Sequence, residues 1–232
     1  LLHGFSAFTT MRAHRGRVFR LRRHLARLGQ TVELLGLRSE ATVGELTDAV
    51  ARVLQANELA EARCRITLTP GPPDVARATV LVTAEPLPDY PDTWYEKGLS
   101  VVVSSFQQVP GDPACGRKTG NYLARVLARN EAAAKSAEEA IWYTPDKRLA
   151  EACFCNVFLV LRGKVLTPPR DTPVLPGVVR AAVLELCARL DLPADDQTPL
   201  TVREMLDAEE AFLTSSCSGV RPIRRIETHP VG

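Results

Sequence analysis

At 232 residues, of which 45% are apolar and 24% charged, the chain has the composition of an ordinary globular protein, large enough for one large domain or two small ones. Its formal net charge is +2 and its acidic and basic residues are interspersed, so the charge pattern does not indicate binding to nucleic acid or to an acidic membrane. The sequence contains no apolar run long enough to span a membrane and no stretch resembling a signal peptide, so we expect a cytoplasmic protein.

The six cysteines are too sparse for a disulfide scaffold. Cys153 and Cys155 are separated by a single residue, which is not the paired spacing of a zinc site. The sequence therefore predicts buried free thiols and no metal ion.

The first part of the chain predicts a small α/β layer. Apolar residues at helical spacing from Leu21 to Leu35 indicate an amphipathic helix that ends at Gly36. A capping box formed by Thr42 and Glu45 predicts the start of a second helix. Strand-like runs follow, with loops rich in proline and glycine between them, at residues 64–69, 78–84 and 99–105.

A connection between two domains is expected at residues 107–117, because this segment holds two prolines and two glycines. This connection separates a small N-terminal α/β domain at residues 1–106 from a larger domain at residues 118–232. In the larger domain the pattern predicts, in chain order, a helix over 121–137, strands over 140–143 and 157–161, a hairpin into 165–167, a helix after Gly177, a capping box at Thr201 and Glu204, and a strand over 211–214.

Lys118 is the first residue whose surroundings indicate chemistry. It follows a glycine-containing loop and precedes a helix, a position where a lysine is ordinarily a solvated surface residue. Lys118 becomes a candidate catalytic residue only in combination with Arg27, Glu151 and Gly177, because the four positions occur in a recognisable order along the chain. Together these four positions resemble the fold-type IV pyridoxal-phosphate enzymes, the class IV aminotransferase superfamily, across nearly the whole chain.

Six segments carry this resemblance. They are the opening strand from His3 and Gly4 to Arg12, the helix His24-Leu25-Ala26-Arg27-Leu28, the lysine motif Lys118-Thr119-Gly120-Asn121-Tyr122, the segment from Glu151 to Phe158, the turn Leu175-Pro176-Gly177-Val178-Val179-Arg180, and the strand Phe212-Leu213-Thr214-Ser215-Ser216. Each motif is weak alone, but six in the correct order are specific. The resemblance implies a small N-terminal α/β domain, a larger C-terminal domain with a barrel-like sheet, and a homodimer.

The resemblance also implies residue roles around pyridoxal 5'-phosphate. Lys118 would form the Schiff base and later act as the general base at the substrate α-carbon. Glu151 would hold a proton on the pyridine nitrogen, and Tyr122 would hydrogen-bond the ring oxygen. Further cofactor contacts are implied for Arg27 and the amides of Gly177, Val178 and Val179 at the phosphate, and for Asn156, Ser215 and Ser216.

Three departures from the family pattern bear on the site. Val179 stands where many relatives have threonine, which removes a hydroxyl near the phosphate but keeps the backbone amides. Gly4-Phe5-Ser6 replaces a frequent Gly-Asp-Gly, and Ala152 replaces the glycine usual after the glutamate, which changes packing on the substrate side.

Membership of the superfamily leaves the reaction open, because its members share the lysine and the cofactor. The segment Phe8-Thr9-Thr10-Met11-Arg12 is similar to 4-amino-4-deoxychorismate lyases, which release pyruvate and 4-aminobenzoate, and favours that activity, with Thr10 and Arg12 as candidate substrate contacts. The alternatives are an aminotransferase of branched-chain or D-amino-acid type that uses a 2-oxo acid, and a non-catalytic relative that acts as a binding protein.

Overall fold

The computed structural model describes residues 4–71 and 77–231. Its internal contacts divide the chain into two units, Leu1–Asp89 with Lys118–Tyr122, and Tyr90–Arg117 with Leu123–Gly232. His3 of the opening motif lies outside the described residues, as does part of the loop predicted after the first of the three early strands.

The smaller unit is an antiparallel sheet with two helices packed on one face. Its elements are β1 (Ala7–His14), β2 (Arg17–Val18), α1 (Leu21–Leu34), α2 (Val43–Ala56), β3 (Ala62–Thr69) and β4 (Thr79–Pro86), with the strands in the order β2-β1-β3-β4. Alternate residues of β1 and β3 are buried, as expected for strands with one face on a core. That core joins Met11 and Ile66 of the sheet to Leu25, Leu28 and Leu54 of the helices.

The end of α1 and the start of α2 confirm the sequence prediction. Gly36 has a φ of +63°, a left-handed conformation that glycine adopts readily after a helix. At the start of α2 the capping box is complete. The Glu45 amide donates to Thr42 Oγ1, and the Thr42 amide donates to the Glu45 carboxylate.

The larger unit contains a curled mixed sheet of nine strands, in the order β10-β9-β8-β11-β12-β5-β6-β7 with β13 beside β12. Its elements are α3 (Thr93–Glu96), β5 (Leu99–Gln107), α4 (Leu123–Ala134), β6 (Glu139–Tyr143), β7 (Leu149–Ala152), β8 (Asn156–Leu161), β9 (Lys164–Leu166), α5 (Val178–Arg189), β10 (Ala194–Asp195), α6 (Val202–Leu206), β11 (Glu210–Ser215), β12 (Gly219–Ile226) and β13 (His229–Pro230). Helix α4 packs against β5 and β6, and α5 packs against β11.

Strand β5 corrects the predicted domain division. The sequence assigned it to the first domain, but it pairs in parallel with β6 and β12 in the larger sheet. It is buried on both faces, with Val101 in one apolar cluster and Val102 in the cluster beneath α4. The boundary therefore moves from residues 107–117 to residues 89 and 90, and the segment 118–122 returns to the smaller unit.

The other predicted elements of the larger unit are present, with ends that differ by a few residues. The hairpin of β8 and β9 and the capping box before α6 are confirmed. The cysteines Cys64, Cys153, Cys155 and Cys187 are buried free thiols, as predicted, whereas Cys115 and Cys217 are partly exposed. Burial, followed by the charge of Glu139, raises the pKa of Cys153 to about 12. Within the described residues, no helix is both long and apolar enough to cross a membrane.

Candidate active site

The backbone around Lys118 is fixed by hydrogen bonds to the start of β1. The amide of Phe8 donates to the carbonyl of Lys118, and the amide of Gly120 donates to the carbonyl of Ser6. Gly120 is required here, because a Cβ at this position would collide with the Ser6 side chain and the Gly4 backbone. Lys118 therefore lies on a segment held against the sheet of the smaller unit, shortly before α4 begins at Leu123.

The Lys118 side chain is half-buried among aromatic rings. Its Nζ atom lies 3.2 Å from the hydroxyl oxygen of Tyr122, to which it donates a hydrogen bond, and 4.8 Å from the centre of the Phe8 ring. The Phe8 and Tyr122 rings meet edge to face at 5.1 Å. The structure thus brings together the predicted lysine and tyrosine and adds Phe8 beside them.

Arg27 belongs to a buried polar group between α1 and β1. Its Nη2 atom donates to Thr9 Oγ1 at 3.2 Å, and His24 Nδ1 lies 3.0 Å from the same hydroxyl. Burial of the ring is the main reason that the pKa of His24 falls to about 3, and the positive charges of Arg27 and Lys118 lower it further. A neutral His24 can therefore stand beside the Arg27 guanidinium without charge repulsion.

Arg65 is a cation that the sequence reasoning missed. Its guanidinium carbon lies 3.8 Å from the centre of the Phe8 ring, and its Nε atom donates to Thr67 Oγ1 at 3.0 Å. Among the described residues, no acidic side chain lies within ion-pair distance of it. Partial burial lowers the pKa of Arg65, and Tyr122 and Glu85 offset part of this change. The alternation of β3 marks Arg65 as facing away from the core, but only the structure shows Phe8 beneath it.

Arg12, a predicted substrate contact, is paired with Glu61 in the structure. Its Nη2 atom lies 3.3 Å from Glu61 Oε2, and both side chains are exposed to solvent. Thr10 is half-buried opposite Arg65 in the pairing of β1 with β3.

Glu151 is a buried carboxylate of the larger unit that accepts four hydrogen bonds. Its side chain is only 3% exposed, although an acidic residue in a hairpin is ordinarily at the surface. One carboxylate oxygen, Oε1, accepts from Arg125 at 2.5 Å and from Gln108 at 3.1 Å. The other, Oε2, accepts from the Leu175 amide at 2.8 Å and from the Asn156 amide group at 3.4 Å.

The sequence reasoning missed Arg125 and Gln108. A signal for Arg125 exists in the spacing of α4, since Ala128 and Ala132 lie three and seven residues later and are fully buried. A charged residue on the buried stripe of a helix ordinarily has a partner. Nothing in the sequence marks Gln108 in the same way.

The predicted phosphate turn contacts the Glu151 network through Asn156. The Asn156 amide group donates to the Leu175 carbonyl at 2.9 Å, and a Cβ on Gly177 would collide with Asn156 Oδ1. Gly177 precedes α5, and no side chain among the described residues caps this helix start. The amides of Val178 and Val179 therefore begin α5 beside a position where only glycine fits.

The end of β11 holds the remaining predicted contacts. Thr214 pairs with Asn156 in the register of β11 and β8, and its buried Oγ1 atom has no hydrogen-bond partner among the described residues. Ser215 Oγ lies 2.7 Å from Ser218 Oγ, and Ser216 lies in the turn that follows the strand.

The sequence model of the amino-transferase class IV family matches residues 6–226, nearly the whole chain. The chain belongs to the class IV aminotransferase family. A putative branched-chain-amino-acid aminotransferase of Methanocaldococcus jannaschii is 29% identical over 98% of this chain and 80% of its own length.

Solved structures agree with the fold. A branched-chain amino acid aminotransferase from T.th., solved with pyridoxamine 5'-phosphate, has a TM-score of 0.92 at 26% identity, over 100% of this chain and 80% of the other. The 4-amino-4-deoxychorismate lyase of Pseudomonas aeruginosa has a TM-score of 0.88 at 26% identity, over 100% of this chain and 87% of the other. This class IV aminotransferase-family protein is accordingly a pyridoxal-phosphate-dependent enzyme, as the sequence motifs predicted.

The residues present fit this cofactor. Pyridoxal phosphate needs an amine for its aldehyde, an acceptor for its ring nitrogen, and oriented donors for its phosphate. Lys118 carries an amine, Glu151 carries an acceptor, and the uncapped start of α5 supplies amide donors. The unpartnered hydroxyl of Thr214 is a further polar atom that a bound ligand would satisfy. Replacement of threonine by Val179 leaves the amides in place.

Proposed function

We propose that Lys118 holds the cofactor covalently and then moves the proton at the substrate α-carbon. The observation that carries this proposal is the Lys118 amine at 3.2 Å from the Tyr122 hydroxyl, over the Phe8 ring. A lysine amine in its neutral form can serve both as the nucleophile that attaches to the cofactor aldehyde and as the base that takes the α-proton. The bound cofactor withdraws electrons from the α-carbon, so that a modest base suffices.

The other roles belong to the remaining residues for which the family resemblance implies a cofactor contact. Tyr122 donates to the ring oxygen of the cofactor, and Glu151 holds the proton on the ring nitrogen. Arg27 and the amides of Gly177, Val178 and Val179 at the start of α5 are the groups that would bind the phosphate. Asn156 hydrogen-bonds both Glu151 and the turn before α5, and so holds the two in place relative to each other. Ser215 and Ser216 supply further polar contacts.

The reaction we propose first is transamination of a small amino acid with a 2-oxo acid. The support is the similarity to branched-chain aminotransferases over the whole chain. The second candidate is the lyase reaction on 4-amino-4-deoxychorismate, which the sequence reasoning placed first. It is supported by the segment from Phe8 to Arg12 and by the Pseudomonas aeruginosa lyase structure. Lys118 takes the α-proton in either reaction.

Arg65 is our candidate for the cation that binds a substrate carboxylate. It stacks on the Phe8 ring beside which the Lys118 amine lies, and no acidic side chain within the described ranges neutralises it at ion-pair distance. Arg12 remains the alternative, although its guanidinium is engaged by Glu61.

A homodimer is part of the same proposal. Helix α4 exposes an apolar stripe at helical spacing, with Leu123 73%, Val126 44% and Leu127 42% exposed. Contiguous apolar surface of this kind is typical of a protein interface. A second copy of the chain is the partner we propose for it.

The reaction is tested by supplying the purified protein with two sets of substrates. With branched-chain amino acids and 2-oxoglutarate we expect glutamate to form, and with the amino acids alone we expect the visible absorption of the bound cofactor to fade. With 4-amino-4-deoxychorismate we expect no 4-aminobenzoate. Release of 4-aminobenzoate and pyruvate, without any response to amino donors, would assign the lyase instead. Lys118→Ala should abolish whichever reaction occurs.

A further inference from the structure

Arg125 and Glu151 form a buried ion pair, and the function proposed above gives Arg125 no role. The side chains are 12% and 3% exposed, and Arg125 Nη2 lies 2.5 Å from Glu151 Oε1. We propose that Arg125 is a positioning residue, which holds the Glu151 carboxylate in the charge state and orientation that the cofactor ring nitrogen requires. This inference rests on the role proposed above for Glu151.

The geometry around Arg125 resembles a clamp on the segment that carries Glu151. Its Nη1 atom donates to the carbonyls of Ala152 at 3.2 Å and Cys153 at 2.9 Å, directly after Glu151 in the chain. Its Nη2 atom also donates to Gln108 Oε1 at 3.2 Å. The planar guanidinium therefore fixes the backbone on one edge and the carboxylate on the other, which a lysine could not do with the same directions.

Gln108 adds further hydrogen bonds to the pair of Arg125 and Glu151. It accepts from Arg125 through Oε1, and its Nε2 atom donates to Glu151 Oε1 and to the Pro173 carbonyl. One oxygen of Glu151 is thus held by Arg125 and Gln108. The second oxygen has one short contact, to the Leu175 amide, and one long contact, to Asn156 at 3.4 Å. Glu151 Oε2 therefore has one short and one long hydrogen bond, whereas Oε1 is held by two side chains.

The charge of Arg125 matters as much as its shape. A carboxylate this deeply buried is strongly disfavoured when its partner is removed, because the charge that remains has neither water nor a counter-ion. A neutral carboxyl group could not balance a positive charge on the ring nitrogen. Arg125 therefore acts on the cofactor through Glu151.

A double-mutant cycle on the cofactor-free protein tests the ion pair. Arg125→Met leaves the Glu151 charge unpaired and should lower the thermal unfolding midpoint, and adding Glu151→Gln to it should restore much of the loss. Arg129→Met is the matched control, since Arg129 lies one turn later on α4 and stacks on the Phe154 ring at 5.5 Å. It should show no coupling to Glu151→Gln. Additive losses in the Arg125 cycle would overturn the proposal.

Cofactor binding supplies the second readout. We expect Arg125→Met to weaken binding of pyridoxal phosphate at least about tenfold, Arg125→Lys to retain an intermediate affinity, and Arg125→Met to cause little further loss once Glu151 is Gln. Wild-type affinity in Arg125→Met would overturn the proposal. If the wild-type protein bound no cofactor, the proposed function would fail, whereas rescue by Glu151→Gln in the cofactor-free protein would still establish the ion pair.

Discussion

Two arginines on the same face of the small sheet differ in what neutralises them. Arg12 and Arg65 lie on neighbouring strands, β1 and β3, and their side chains point to the same side. Arg12 is paired with Glu61, whereas Arg65 stacks on Phe8 with no ion-pair partner among the described residues. A carboxylate ligand therefore gains more at Arg65, where no existing ion pair has to be broken.

This difference predicts the behaviour of two matched variants. Arg65→Leu should raise the KM for the amino-acid substrate by about 10- to 100-fold, since a hydrogen bond to a charged group contributes about 1.5–3 kcal/mol. Arg12→Leu should leave the KM within about twofold. Steady-state kinetics with both variants would check this, and the reverse result would assign the substrate carboxylate to Arg12.

Some of the candidate site residues could be predicted from the sequence alone, and others could not. Lys118 and Glu151 could be recognised because each lies in a segment with a distinctive residue order. Arg65 and Gln108 could not, since each acts through neighbours that are distant in sequence, Phe8 for the first and Glu151 for the second. Spacing within one element cannot reveal such contacts.

At the scale of elements, α1 is joined to β1 by the polar group of His24, Arg27 and Thr9. The pKa of His24 is about 3 in the folded protein, below the ordinary value of 6.5, because of burial first and of the nearby cations second. The unfolded chain therefore binds more protons than the folded one between these two values. The contribution of the neutral His24 to the free energy of unfolding is fully present above about pH 6.5, and it is lost as the pH falls towards 3.

The variant His24→Asn removes this titration but keeps a polar side chain. Its stability at pH 7 should be lower than that of the wild type by about 1–2 kcal/mol, a usual cost of a buried substitution. Between pH 6.5 and about pH 5 the wild type should lose about 1.4 kcal/mol per pH unit relative to the variant. Urea unfolding across this range measures the difference, and parallel stability curves would contradict the assignment.

The sequence predicted helix boundaries well, because residues close in sequence define them. It predicted strands less well where only pairing with distant strands defines them. Both capping boxes and the glycine after α1 fixed helix boundaries, since each is a contact between residues close in sequence. Strand β12 was missed, because Pro222 and its three arginines obscure the alternation. Strand β5 was found, but an apolar run does not show to which sheet it belongs.

At the scale of the whole molecule, the resemblance predicted both the fold class and the cofactor. The curled mixed sheet agrees with the solved relatives, and the chain divides into two units at residues 89 and 90. The return of 118–122 to the smaller unit could not be predicted from the sequence. It depends on backbone hydrogen bonds of this segment to Ser6 and Phe8, more than 100 residues earlier in the chain.

The central claim is that Lys118 carries the cofactor. Borohydride reduction of the protein with pyridoxal phosphate, followed by peptide mass analysis, tests this most directly. We expect one reduced adduct, on the peptide that contains Lys118, and none on the exposed Lys135, with loss of the adduct in Lys118→Ala. An adduct spread over exposed lysines, or one that persists in Lys118→Ala, would contradict the account.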